Sequence, residues 1–400
     1  MTQSADRPRI RLKPKANARG LRHGFPWVYA NDIVTDRRTR KIPAGALAVL
    51  EDDKRAPIAL VAVNPESKIM CRVLDRDIDA QLDAVWFETR LQRALEMRES
   101  LFDAPYYRLI HAEADGFPGV IIDRFGEACV IQPNAAWAEA HLDVLTAALI
   151  KVTGVTTVLK NASGRTRGLE GLDDTNQTLH GTAPDAPLPV PMNGATYMAD
   201  LTGGQKTGLF YDQRPNHAFA ARLVHPGAQV LDVFSHVGGF GLAMLAGGAE
   251  QALSVDGSAA ALALAASGAE ASGFSDKFQT RQGDAFDVLT QLGEEGAQFD
   301  VVICDPPAFA PSRQALDAGL RAYERIARLA AALVKPGGYL GLCSCSHAAD
   351  LGRFRDASSR GIGRAGRQAQ LIHTGFAGAD HPQLPQLAES GYLKAVFYRL

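Results

Sequence analysis

Apolar and polar positions change their period three times along the chain. Residues 9 to about 75 alternate short β-type runs (RIRLK, ALAVLED, PIALVAV, IMCRVLD) with turn signals such as Asn64-Pro65, which predicts a small β-rich domain closed into a compact barrel. From about 78 to 101, Leu82, Val85, Trp86, Leu91, Ala94 and Leu95 recur at helical spacing; strands broken at Asp115-Gly116 and Phe125-Gly126 follow, then a helix over 138–153 and a strand over 156–160. This middle block is α+β. Prolines at 184, 187, 189 and 191 make the next stretch extended and exclude it from helix or central strand, so the last boundary falls near 190. The expected domains are 1–75, 76–190 and 191–400.

Beyond 190 the pattern becomes β/α alternation. Strands are expected at Gln229–Phe234, Ala252–Asp256, Phe278–Gln282, Phe299–Cys304, Gly338–Cys343, Gln370–His373 and Lys394–Tyr398, with helices between most of them, notably Ser258–Ser272 and Gln314–Val334. Such alternation predicts an α/β fold with a doubly wound, mainly parallel sheet, whose ligand site lies off the carboxyl ends of the strands.

Composition adds limits. With 46% hydrophobic and 22% charged residues and a net charge of −2, the 400-residue chain has the makeup of an ordinary globular protein with room for two or three domains. Charges stand where a signal peptide needs an apolar run, and no stretch approaches the roughly 18 apolar residues of a membrane span, so a cytosolic location is expected. Five cysteines without C-x-x-C spacing argue against both disulfides and a zinc site, and no metal is expected. Residues 1–41 hold eleven Lys/Arg against three acids, a local net of +8 that suits a polyanion such as RNA; Arg11, Lys13, Lys15 and Arg22 are the candidate contacts. A merely solvated basic terminus is the competing reading.

The run VLDVFSHVGGFG ends the first strand of the last block with Asp232 and turns into a helix through Gly238 and Gly239, where a ligand can approach the backbone closely. Asp256 closes the next strand 24 residues on, about the distance at which an acid meets ribose hydroxyls. Asp284 follows the third strand, with a helix N-cap as its competing role, and Asp305 closes the fourth in VVICDPPAF.

This order of Asp232, Phe234, Gly238-Gly239-Phe240, Asp256, Gly283-Asp284 and Asp305-Pro306-Pro307 resembles the class I S-adenosylmethionine-dependent methyltransferases. The resemblance implies S-adenosylmethionine as cofactor, with Asp256 on the ribose, Asp284 and Ala285 on the adenine, and the loop from Phe234 and Ser235 to Gly239 on the methionine portion. The segment ADLTGGQKTGLFYDQRPNHA (199–218) is similar to one in the large-subunit ribosomal RNA cytosine-5 methyltransferase family, the RlmI-like proteins. There Lys206, Phe210, Asp212, Gln213 and Arg214 would line or buttress the pocket; a polar helix start with Arg214 on the surface is the alternative. The likeness spans the chain. Residues 9–74, including HGFPWVYANDI, resemble an RNA-binding PUA domain, and RLIHAEADGFPGVIIDRFG resembles the family's central domain.

Carbon 5 of cytosine becomes nucleophilic only after something adds to carbon 6, and a thiolate is suited to that. GYLGLCSCSH supplies two thiols at a strand's carboxyl end. Cys345, in the family's Ser-Cys-Ser context, is the expected nucleophile, whereas Cys343 reads as core. Asp305 is expected at the cytosine ring, with Pro306 fixing the turn and touching the substrate and Phe309 stacking on a flipped base. Cys304 reads as packed in the sheet, and His347 as a surface residue.

Ala308 departs from the lysine common in RlmI-like proteins, and His236 and Val237 depart from the usual first loop, which leaves the target nucleotide open. The expected partner is RNA, specifically large-subunit ribosomal RNA, with no membrane role and room for a homodimer. The rivals are a guanine-nitrogen methyltransferase acting on ribosomal RNA and a non-catalytic RNA-binding protein; Cys345 speaks against both.

Overall fold

The computed structural model describes residues 7–203 and 208–400. The chain forms two compact units. The first runs to Asp185 and takes in Ala379–Ser390; the second comprises Ala186–Gly203, Gly208–Gly378 and Gly391–Leu400.

In the first unit, β1 (Arg9–Arg11), α1 (Ala18–Arg22), β2 (Trp27–Tyr29), β3 (Ala46–Glu51), β4 (Pro57–Val63) and β5 (Ile69–Asp75) make a sheet of order β1-β3-β4-β5-β2. A bridge between Leu12 and Ile33, flanked by bonds from the Lys13 amide to Asp32 and the Val34 amide to Arg11, joins the two edges and closes the barrel. Ile10, Leu12, Val28, Ile33 and Val61 fill it.

The α+β block follows as α2 (Ala84–Glu99), β6 (Tyr106–His111), β7 (Val120–Phe125), β8 (Ala128–Pro133), α3 (Ala136–Ala140), α4 (Leu142–Thr153), β9 (Thr157–Lys160), α5 (Arg165–Leu169) and β10 (Gln177–His180). Its strands lie in the order β10-β9-β8-β7-β6 over a core that includes Trp86, Phe87, Phe117 and Trp137. Barrel and block form one compact unit because Ala62 and Leu74 of the barrel strands pack into the block's core and Arg72 pairs with Glu113 (3.3 Å) and Glu170 (3.0 Å). Ala379–Ser390 joins this unit, which departs from an unbroken 191–400 domain: buried Arg98 binds Asp115 (2.7 Å) and the Asp380 carbonyl (3.0 Å), and Asp380 accepts the Arg108 amide at 3.0 Å.

The second unit opens with β11 (Leu188–Met192) and β12 (Ala195–Ala199), an antiparallel two-stranded ribbon that accommodates Pro189 and Pro191. Then come α6 (Arg214–Ala221), β13 (Gln229–Val233), α7 (Gly239–Ala246), β14 (Gln251–Asp256), α8 (Ala259–Ala271), β15 (Phe278–Gln282), α9 (Ala285–Glu294), β16 (Phe299–Cys304), α10 (Leu316–Ala332), β17 (Val334–Ser344), α11 (Leu351–Arg364), β18 (Gln370–Gly375) and β19 (Lys394–Arg399). The sheet order is β15-β14-β13-β16-β17-β19-β18, parallel through β17, with β19 antiparallel between β17 and β18. The order reverses at β13, and in sheets of this kind ligands bind at that point, outside the carboxyl ends of β13 and β16.

Candidate active site

The first strand stops one residue earlier than expected. Phe234 leaves β13 with φ 63°, His236 follows at φ 50° and Gly238 at φ 82°. Left-handed non-glycine residues cost about 1–3 kcal/mol each and persist only where neighbours hold them, commonly at ligand sites. The restraints here are specific. The Ser235 amide donates to Val255 (3.0 Å), the His236 amide donates to Asp256 Oδ2 (2.9 Å), and the amides of Gly238 and Gly239 donate to the Ser235 carbonyl (2.8 and 3.1 Å). Gly239 is required by space, since a Cβ there would come within 2.9 Å of His217 Nε2.

Asp232 lies fully buried beneath this loop, where its Oδ2 accepts the amides of Phe240 (3.1 Å) and Gly241 (2.8 Å) at the start of α7. Burial outweighs those bonds and, with the nearby Asp256, lifts its pKa to about 7. Asp256 is half-buried and also accepts the Ser258 amide at 2.8 Å. Asp284 is exposed and caps α9 through the amides of Phe286 (2.9 Å) and Asp287 (3.3 Å), so the N-cap role is realised; Ala285 is buried, its methyl in the core.

The segment before the sheet is only partly described. Lys206 lies outside the described residues. Phe210 sets its ring edge-on to His236, 5.0 Å between centroids, and so reaches the first loop. Asp212 and Gln213 are buried in a short turn; Asp212 accepts the Tyr392 hydroxyl at 2.5 Å, and Gln213 accepts the Asn216 amide at 2.6 Å. Arg214 begins α6, half-buried, its guanidinium 5.3 Å from the Tyr211 ring.

Asp212 Oδ1, Asp232 Oδ1, Ser235 Oγ and Ser254 Oγ are buried without a hydrogen-bond partner. Native interiors rarely leave so many polar atoms unmet, and a ligand rich in donors and acceptors satisfies them. The residues therefore fit S-adenosylmethionine: the strained loop for its amino acid part, Asp256 for its ribose hydroxyls.

At the reacting end, β16 delivers Asp305, half-buried, its amide bonded to Val233 at 3.1 Å. Pro306 is buried and Pro307 is exposed. Phe309 is half-buried among Tyr323 (5.0 Å), Phe286 (6.0 Å) and Phe234 (6.2 Å), so its ring is already engaged by aromatic neighbours. Cys304 and Cys343 are buried, and burial pushes both thiols far up. Cys345 stands one residue past β17 and is half-buried.

Its flanking serines both point inward. Ser344 Oγ donates to Tyr323 Oη at 2.8 Å, Tyr323 Oη also bonds Ser346 Oγ at 2.8 Å, and Ser346 Oγ accepts the Ala310 amide at 3.0 Å. Sequence reasoning missed the roles of Ser344 and Ser346; Tyr323, inside an apolar helix pattern, carried no signal, nor did Ser254.

In the barrel, Lys13 and Lys15 are exposed, and Lys13 Nζ donates to the Asn31 carbonyl at 2.8 Å. Arg11 is half-buried, and Arg22 is committed to Asp52 at 2.6 Å. Among the described residues no helix is long and apolar enough to cross a membrane, and no group of three His, Cys, Asp or Glu is placed to hold a metal.

Comparison with known proteins agrees with this geometry. Residues 10–76 match the PUA-like domain and residues 168–399 match the S-adenosylmethionine-dependent methyltransferase family. The chain is 34% identical over 396 residues to the ribosomal RNA large subunit methyltransferase I of Shewanella denitrificans, covering 98% of this chain and 99% of that one. It is 33% identical to the protein of that name from Klebsiella pneumoniae, covering 98% of each. A solved structure from Streptococcus mutans, described as that of a SAM-dependent methyltransferase, superposes with a TM-score of 0.83 at 20% identity over 98% of this chain and 100% of its own. The chain thus belongs to the S-adenosylmethionine-dependent methyltransferases and, among them, to the family of the ribosomal RNA large subunit methyltransferase I proteins.

Proposed function

We propose that the protein methylates carbon 5 of a cytosine in large-subunit ribosomal RNA through a covalent adduct of Cys345. One observation carries this reading: of the five cysteines only Cys345 escapes burial, and it does so at the carboxyl end of β17, beside the strand that ends at Asp305. The relatives' shared name supports ribosomal RNA as the substrate.

The base must first leave its stack to reach such a site. The Cys345 thiolate then adds to carbon 6, forming the S–C6 bond while the C5–C6 π pair moves onto carbon 5. Asp305, in its neutral acid form, donates a hydrogen bond to the ring nitrogen where negative charge gathers. S-adenosylmethionine, when bound, supplies the methyl group. Carbon 5 takes that methyl, its own proton passes to water, and the returning electron pair expels the thiolate, restoring the double bond. Arg11, Lys13 and Lys15 serve as contacts to RNA phosphates. Nitrogen methylation of guanine would need no thiol, so Cys345 separates the two chemistries.

Replacing Cys345 by Ala is expected to abolish methyl transfer to large-subunit RNA while S-adenosylmethionine binding persists, measured by tritium transfer and calorimetry. Full transfer by the variant overturns the covalent reading.

A further inference from the structure

We infer that Lys394 is a positioning residue for the cysteine, holding its loop and supplying the positive charge that favours the thiolate. The inference rests on the covalent reading of Cys345 given above.

Topology brings the two together. Because β19 runs antiparallel to β17, its first residue meets the last of β17, and Lys394 pairs with Ser344 immediately before Cys345. The side chain turns inward and is only 5% exposed. Its Nζ donates to the carbonyls of Ser346 (2.7 Å) and Ala349 (2.9 Å), which clamps the loop that begins at Cys345.

A buried ammonium that meets only neutral carbonyls is costly, and a neighbouring anion relieves that cost. Burial draws the Lys394 pKa down, while Cys345 and Asp350 pull it back up, so the thiol lies within reach of its charge. The same attraction seen from sulfur favours the thiolate. The other titratable groups around the pair are the Tyr323 hydroxyl from α10, which also feels Cys345; Asp350 at the cap of α11; Asp305, which acts on neighbouring Cys343; and exposed His347 next along the loop. Lys394 is the cation among those that is buried against the loop carbonyls.

Alkylation by iodoacetamide across pH reads this directly, since the other four cysteines are buried and mass spectrometry of the peptide isolates Cys345. Lys394→Gln keeps a donor for the carbonyls and loses the charge; its alkylation midpoint is expected about one pH unit above wild type, a tenfold slower reaction below the midpoint. Lys394→Arg keeps the charge and is expected to return the midpoint toward wild type. Superimposed profiles for wild type and Lys394→Gln, or equal shifts in both variants, overturn the inference. Should the Lys394 variants not fold, Asp350→Asn decides, because Asn caps a helix as well as Asp. With the acid gone the midpoint is expected to fall, and an unchanged midpoint overturns the inference. Methyl transfer by Cys345→Ala would instead sink the covalent reading and leave the alkylation result standing.

Discussion

Ser346 Oγ accepts the backbone amide of Ala310 at 3.0 Å, which ties the loop carrying the cysteine to the loop carrying the acid. Tyr323 completes the link from α10, its hydroxyl bonded to Ser344 and Ser346 at 2.8 Å each. One buried hydroxyl network therefore ties the loop of Cys345 to the loop that follows Asp305.

Tyr323→Phe removes the hub, leaving Ser346 Oγ the Ala310 amide (3.0 Å) and Ser344 Oγ the Ser346 amide (3.3 Å), with a cost of about 0.5–1.5 kcal/mol for each hydrogen bond lost. Urea unfolding is expected to show that loss. Methyl transfer should fall while S-adenosylmethionine affinity stays near wild type, and unchanged transfer would mean the network does not position Cys345.

The buried acid beneath the cofactor loop makes stability depend on pH. Asp232 titrates at about 7 when folded and near its ordinary 3.8 when unfolded, so below pH 4 both states hold the proton. Between pH 4 and 7 only the folded state keeps it, and stability falls as pH rises through that window, then levels off. Asp232→Asn cannot ionise and still accepts the α7 amides; relative to it, ligand-free wild type is expected to lose up to about 4 kcal/mol across the window. Parallel urea curves at all pH values would contradict this.

Asp256 holds the His236 amide at 2.9 Å, and the proposed cofactor site assigns it the ribose hydroxyls as well. Loss of charged hydrogen bonds is worth about 1.5–3 kcal/mol, so Asp256→Ala is expected to raise the Kd for S-adenosylmethionine roughly 10- to 150-fold by calorimetry. An unchanged Kd would remove Asp256 from the cofactor site.

Neutralised phosphates appear in the salt dependence of RNA binding. Alanine at Lys13 or Lys15, both exposed, is expected to lower the slope of log K against log salt by about 0.7–0.9 for each phosphate left unneutralised. Arg22, already paired with Asp52 at 2.6 Å, should change the slope least. Equal slopes for wild type and the Lys13 and Lys15 variants would show that the basic terminus is only a solvated surface.

Much of the site was legible because strand ends combine two local signals, an apolar β run and the acid or cysteine that stops it. Asp232, Asp256, Asp305 and Cys345 each stand at or next to the end of a strand in the finished sheet. What was not legible depended on distant pairing. Nothing near Lys394 announces that β19 will run antiparallel to β17 and set it beside Ser344, and the Arg98–Asp380 bond joins residues 282 apart.

The covalent mechanism is tested most directly by RNA in which the target cytosine is replaced by 5-fluorocytosine. Fluorine at carbon 5 cannot leave as a proton does, so the adduct persists. The account predicts that wild-type protein with S-adenosylmethionine gains the mass of the methylated RNA in a band that survives denaturation and maps to Cys345. Efficient methylation of the unmodified RNA with no such adduct on its fluorinated counterpart would contradict it.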